Sequence, residues 1–138
     1  MPDALTLSLP NALDGIGAAS DAATVWLEAR HVPTGAVFLV NLAIEELVTN
    51  CVKYAYDDTN EHTIDVELSV VDRQLAIVVI DDGHAFNPLA ASAPDLSLSL
   101  EQRRIGGLGI HLLRELADEM RYERRGGTNR VTLIKRLD

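Results

Sequence analysis

On a helix, residues four and seven apart share a face, so Glu46, Asn50 and Lys53 form one polar column within an otherwise apolar run. An amide oxygen such as that of Asn50 suits Mg²⁺, a hard cation that prefers oxygen and usually keeps phosphates and waters as its other ligands. Glu46, one turn earlier, can accept a proton from an attacking hydroxyl or water, and Lys53 can offset phosphate charge. Glu45 points about 100° away and is the weaker base. Asp81 directly follows Ile80 at the end of an apolar stretch, where a carboxylate is costly unless something bonds it. The exocyclic amino group of adenine would do so, and Gly83 would let the base approach the backbone. Gly106-Gly107-Leu108-Gly109-Ile110 opens an amphipathic segment, and free N–H groups at a helix start, with its positive dipole end, suit phosphates. There is no Gly-Lys-Ser/Thr, so this is not a Walker-type loop. The three segments make joint sense only around a nucleotide, and the chain reads as an ATP-binding domain.

Each segment also has a plainer explanation. The outward face of an amphipathic helix is polar anyway, Asp-Gly forms turns, and a glycine run can cap a helix. The column points about opposite to the stripe of Val37, Ile44 and Cys51, but Leu39, Leu42 and Ala43 share or border its face, as they would in a partly covered cleft. Cys51 reads as a small buried hydrophobe.

The positioning elements follow from periodicity. Thr6 to Leu9 predicts a short first strand, about Asn11 to Ala29 a helix, and Thr34, as N-cap, a long second helix to about Tyr56. Ile64, Val66, Leu68 and Val70 alternate with polar residues, as in a strand with one buried face. Val71 to Gln74 turns the chain into Leu75–Ile80, a continuous apolar run expected to be a central strand buried on both sides. About twenty residues from Gly83 to Ile105 follow without periodicity, and a flexible lid over about 84–105 is expected. Leu108, Leu112, Leu113, Leu116 and Met120 then mark a helix, and Tyr122–Arg125, Gly126-Gly127 and Val131–Leu137 a closing hairpin. The order does not alternate as in a doubly wound sheet, which predicts a mixed sheet with helices stacked on one face.

With 138 residues, 47% of them hydrophobic, the chain can build one core, and a single domain over 1–138 is expected. One cysteine permits no internal disulfide. The N-terminus lacks the pattern of a secretory signal, and the apolar stretch Ala36–Ile44 stops short of the roughly 20 residues a membrane span needs, so a soluble cytoplasmic protein with no membrane partner is expected. A net charge of −9 argues against direct nucleic-acid binding. Charge is uneven, however: residues 1–102 hold 3 basic and 16 acidic side chains, residues 103–138 hold 9 and 5. An anion or acidic partner would meet the C-terminal third.

Taken together, Glu46-x-x-x-Asn50, Asp81-x-Gly83 and Gly107-x-Gly109 resemble the nucleotide-binding boxes of the gyrase, Hsp90, histidine-kinase and MutL superfamily. Within it the chain is similar, from Leu5 to Leu137, to the anti-sigma factor serine-protein kinases, the switch kinases of partner-switching modules. Ala43 to Tyr56, Asp82-Gly83-His84-Ala85-Phe86-Asn87-Pro88 and Gly106 to Ile110 carry the likeness. The resemblance implies a Bergerat-type α/β sandwich that binds ATP and Mg²⁺. It implies that Glu46 is the catalytic base, Asn50 the Mg²⁺ ligand and Asp81 the adenine acceptor. Lys53, Gly83, Ala85, Phe86, Gly106, Gly107, Leu108, Gly109, Ile110 and His111 would complete the nucleotide site. Ala85 stands where a second glycine is common, and His111 where a small hydroxyl residue is frequent. The implied activity is phosphorylation of a serine on a small anti-sigma factor antagonist, with a sigma factor or other regulator as competing partner and room for a homodimer. The alternative is a non-catalytic ATP-gated binding module, which the presence of a base at Glu46 disfavours. A sensor histidine-kinase fragment is disfavoured by the lack of a preceding helical hairpin with a phospho-accepting histidine.

Overall fold

The structure is a computed structural model and describes residues 3–90 and 107–138. Five strands form one sheet in the order β1-β2-β3-β5-β4, with β1 at Asp3–Pro10, β2 at Thr63–Val71, β3 at Gln74–Asp81, β4 at Glu119–Arg125 and β5 at Thr128–Arg136. Every pairing is antiparallel, where a mixed sheet was expected. The reason lies in the connections. β2–β3 and β4–β5 are two-residue hairpins, the helices between β1 and β2 join neighbours that run opposite ways, and β5 inserts between β3 and β4, which would otherwise pair in parallel. The hairpin turns, Asp72-Arg73 and Gly126-Gly127, all have positive φ, the geometry that matches the twist of paired strands.

The helices are α1, Ile16–Ala29; α2, Thr34–Ala43; α3, Thr49–Tyr54; and α4, Gly107–Leu116. A π-helical turn, Ile44–Val48, joins α2 to α3, so that Thr34–Tyr54 runs as one 21-residue helix. With a mean hydropathy of 1.5 it has the length and composition of a membrane span, unlike the shorter stretch read from sequence. Its apolarity serves the core instead: Ala36, Leu39, Val40, Ala43, Ile44, Leu47, Val48 and Cys51 are all buried in the same cluster as α1 and the sheet.

One face of the sheet supplies the rest of that core. Leu9, Ile64, Val66, Leu68, Leu75, Ile77, Val79, Val131 and Leu133 point inward and pack with Ile16, Leu27, Ile110 and Leu113. β3 is central, but it is not buried on both sides: Ala76, Val78 and Ile80 stay half-exposed on the outer face. Among the described residues the helices stack on the inner face alone. Helix α4 ends at Leu116, before Met120, because β4 claims the following chain. There the Asp118 N–H donates to the Ile134 carbonyl at 2.8 Å and the Asp118 carboxylate accepts the Arg136 N–H at 2.7 Å. Helix α1 starts at Ile16 after a 3₁₀ turn at Leu13–Gly15, later than periodicity predicts.

One-sided burial makes a direct prediction. Val66, fully buried on the inner face, and Val78, half-exposed on the outer one, differ in whether a new hydroxyl meets water. Val66→Thr should cost about 1–3 kcal/mol in urea denaturation, whereas Val78→Thr should stay within about 0.5 kcal/mol. Equal losses would mean that the outer face is also covered.

Candidate functional site

Asp81 closes β3 on the inward register and is 4% exposed. Its Oδ1 accepts two hydrogen bonds, from the Gly83 N–H at 2.9 Å and from Asn129 Nδ2 at 2.9 Å. Its Oδ2 accepts the Cys51 thiol at 3.3 Å. Burial, and then the Asp81 charge, push the Cys51 thiol far up, so it stays protonated and acts as a donor. Asp81, Cys51 and Asn129 border a small cavity whose other walls are Leu47, Val79, Phe86, Pro88 and Val131. The cavity holds only about 10 Å³, room for a single water, so a flat base would reach the carboxylate only with the walls moved apart.

The loop after β3 is held from two sides. The His84 N–H donates to the Ala55 carbonyl at 2.9 Å, and Arg124 donates to the Gly83 carbonyl at 2.7 Å. A Cβ at position 83 would lie 2.2 Å from the Ala55 carbonyl oxygen, so Gly83 is needed for a close approach to the end of α3. Ala85 is exposed, and Phe86 is half-buried with its ring 6.3 Å from that of Tyr54. Beside the loop, His62 stacks on Tyr56 at 4.1 Å and contacts Asp58 at 2.7 Å and Asp82 at 3.2 Å. The bond to Asp58 raises the His62 pKa, and that of Asp58 is correspondingly lowered.

At the other end, the π turn and α3 carry Glu46, Asn50 and Lys53. The expected column is not a solvated face. Asn50 is only 8% exposed, Glu46 is half-buried and Lys53 alone is exposed. A π turn takes more residues per revolution than an α-helix, which swings the residues after it around the axis. Among the described residues the buried Asn50 amide nitrogen, a donor, has no hydrogen-bond partner. Burial, and next the neighbouring Glu45, raise the Glu46 pKa, while Lys53 opposes them.

Helix α4 meets Glu46 head-on. A Cβ on Gly109 would fall 2.1 Å from the Glu46 carboxyl carbon and from Oε2, so a side chain there would have to push this carboxylate aside from the first turn of α4. The structure thus unites Glu46 with the glycine segment, and Asp81 with Gly83, at two places along the same helix. The remaining expected residues divide. Leu108 is exposed, His111 is half-buried 3.8 Å from Glu115, and the Ile110 side chain is in the core, which leaves only its backbone for a ligand. Gly107 begins α4. Gly106 and most of the expected lid, 91–105, lie outside the described residues.

Sequence reading missed Asn129, Arg124, Tyr122 and the bond made by Cys51. Asn129 had a signal: counted by twos from Val131 and Leu133 it falls on the inward face, where a polar residue needs partners. Arg124 and Tyr122 had none, since their role depends on which loop the hairpin meets.

Residues 9–135 match the family described as histidine kinase-like ATPase domain. The serine/threonine-protein kinase BtrW of Bordetella bronchiseptica is 31% identical over 96 residues, 70% of this chain and 68% of that protein. The serine-protein kinase RsbW of Bacillus velezensis is 30% identical over 72% of this chain and 64% of its own length. The anti-sigma F factor of Clostridium novyi is 30% identical over 71% and 69%. The chain therefore spans about two thirds of the curated relatives it matches. A solved Mycobacterium tuberculosis chain with RsbU and RsbW domains superposes with a TM-score of 0.70 over 98% of this chain and 32% of its own, at 21% identity, a likeness of fold.

Asp81→Asn gives a test of the base end. With two N–H donors on Oδ1, the substituted amide must keep its oxygen there and turn its NH₂ toward the cavity, donor against donor for an adenine amino group. Adenine-nucleotide affinity should fall by roughly 1.5–3 kcal/mol in calorimetry. Unchanged ADP affinity in the folded variant would reduce Asp81 to a turn residue.

Proposed function

The chain belongs to the histidine kinase-like ATPase domain family, in its serine-protein kinase branch, and from that premise we propose that it is an ATP-dependent protein-serine kinase of a partner-switching module. Its substrate is a serine on a small anti-sigma factor antagonist, and a sigma factor or other regulator is the partner it sequesters, as the names of its relatives suggest. The reading treats residues 1–138 as one kinase domain working in the cytoplasm. The observation that carries it is the contact between the Glu46 carboxylate and Gly109 at the start of α4, one turn from the unpartnered Asn50 amide.

Bound ATP with Mg²⁺ would supply the phosphoryl group and offset its charge. Asp81 accepts the adenine amino group, with Gly83, Ala85 and Phe86 beside the base. Asn50 turns its amide oxygen to Mg²⁺, and its buried Nδ2, a donor without a partner among the described residues, is left to meet a phosphate oxygen. Backbone N–H groups of Gly107, Leu108, Gly109 and Ile110 at the start of α4 would meet the phosphates, with His111 and Lys53 as further contacts and Gly106 assigned to the same group from sequence alone. Glu46 orients the serine hydroxyl and takes its proton, and partial burial makes it a stronger base than an exposed carboxylate.

A homodimer is part of the proposal, and the outer face of the sheet supports it. The half-exposed row Ala76, Val78 and Ile80 has Asp65 and Glu67 on its β2 side and Arg130 on its β5 side, while on β4 Arg121 and Arg125 share the face with Glu119 and Glu123, which pair with them. A two-fold axis through the row would set each copy's β2 acids against the other's Arg130. Arg130→Glu should then weaken self-association about tenfold or more in sedimentation, since like charges would face each other. Sedimentation identical to wild type would remove this face from the interface.

Phosphoryl transfer tests the main proposal. Glu46→Ala should keep ATP and partner binding while transfer of labelled γ-phosphate to the antagonist falls about 10²–10⁴-fold, and EDTA should abolish transfer by the wild type. Equal rates in variant and wild type would exclude Glu46 as the base. No transfer by either, with nucleotide still bound, would favour an ATP-gated binding module.

A further inference from the structure

Asn129 is 1% exposed and its amide uses all four of its hydrogen-bonding positions. Nδ2 donates to Asp81 Oδ1 at 2.9 Å and to the His84 carbonyl at 2.8 Å. Oδ1 accepts from the Phe86 N–H at 3.3 Å and from the Tyr122 hydroxyl. One side chain on β5 thereby joins the end of β3, both ends of the loop segment 84–86, and β4. A core amide that served packing alone would have no need to reach the one carboxylate that borders the cavity.

The consequence lies in what is left of Asp81. With the Gly83 N–H and Asn129 both on Oδ1, rotation of the carboxylate about its Cβ–Cγ bond would break two bonds, so the group is locked and Oδ2 is the oxygen turned to Cys51. A thiol is a weak donor that a stronger one displaces readily. We propose that Asn129 is the positioning residue for purine selection: by locking Asp81 it presents a single, fixed acceptor that takes a 6-amino group and repels a 6-oxo group. This rests on the reading of Asp81 as the base-binding carboxylate. An unlocked carboxylate can turn, share its charge with water, and lose its preference between the two purines. The same amide holds the His84 carbonyl and the Phe86 N–H, so the cavity wall that carries the Phe86 ring keeps its place relative to the acceptor.

Calorimetry of ADP against inosine diphosphate isolates the purine 6-substituent, because the two ligands share ribose and phosphates. The wild type should prefer ADP about ten- to a hundredfold, the range of a hydrogen bond to a charged group. In Asn129→Ala the preference should shrink to within about threefold, while loss of affinity for both ligands in parallel, with the ratio kept, would overturn the proposal. Asn129→Asp, nearly the same shape, decides the matter if the alanine variant fails to fold. It sets a carboxylate against Asp81, and a shared proton is needed to restore the donor. Its ADP preference should be lost at pH 8 and regained at pH 5.5, with the wild type nearly flat between them; a preference equal to wild type at pH 8 would overturn the proposal. Wild type that binds neither ligand overturns the nucleotide reading itself, whereas wild type that prefers ADP, with both variants doing the same, overturns only the role of Asn129.

Discussion

Asp81 places a carboxylate inside the protein at the end of the central strand, directly after the apolar run that forms that strand. Burying such a group without partners would cost several kcal/mol, so the surrounding chain must deliver donors to it. Three arrive, each from a different place: the backbone of Gly83 in the loop, the amide of Asn129 on β5, and the thiol of Cys51 on α3. The requirement thus fixes how the loop after β3, the closing hairpin and the long helix sit relative to one another. Gly83 is small because the loop must also touch Ala55, and Arg124 reaches across from β4 to hold the same loop.

The long helix carries the second constraint. Its apolar residues fill the core, yet it also carries the half-buried Glu46 and the buried Asn50. The π turn at Ile44–Val48 reconciles the two demands by changing the winding between α2 and α3. Asn50 becomes nearly buried while Glu46 stays half-exposed, where the first turn of α4 approaches so closely that a Cβ at position 109 would displace its carboxylate. The surroundings of Asp81 and those of Glu46, the proposed base and phosphate ends, are therefore two stretches of one helix. Strain or slippage in this helix would disturb both.

The sheet serves these ends asymmetrically. Its inner face carries the core and, at the end of β3 and the start of β5, the polar pair Asp81 and Asn129. Its outer face carries acids on β2, Arg130 on β5, and on β4 two arginines paired with two glutamates. The basic C-terminal third is thus partly a sheet surface and partly, through Arg124, a support for the site. Basic residues there do not all answer to an external anion.

The sequence by itself determined the alternation that buries one face of β2, the hairpins, the core stripe of the long helix, and the residue types at Glu46, Asn50, Asp81, Gly83 and Gly109. These are local: a period, a turn type or a spacing states them without knowledge of distant chain. It also led to two wrong geometries, because strand direction and burial of β3 depend on what packs where, and an apolar run looks the same with one face covered as with two. Only the tertiary structure decided that Asn50 turns inward, since a π turn has no pattern in hydrophobicity. Only it revealed that Gly109 is a matter of contact with Glu46, sixty-three positions earlier, and that Asn129 locks Asp81. A hydrogen bond between residues 48 apart is set by sheet register and helix packing together, and neither is written in the spacing of the two residues that share it.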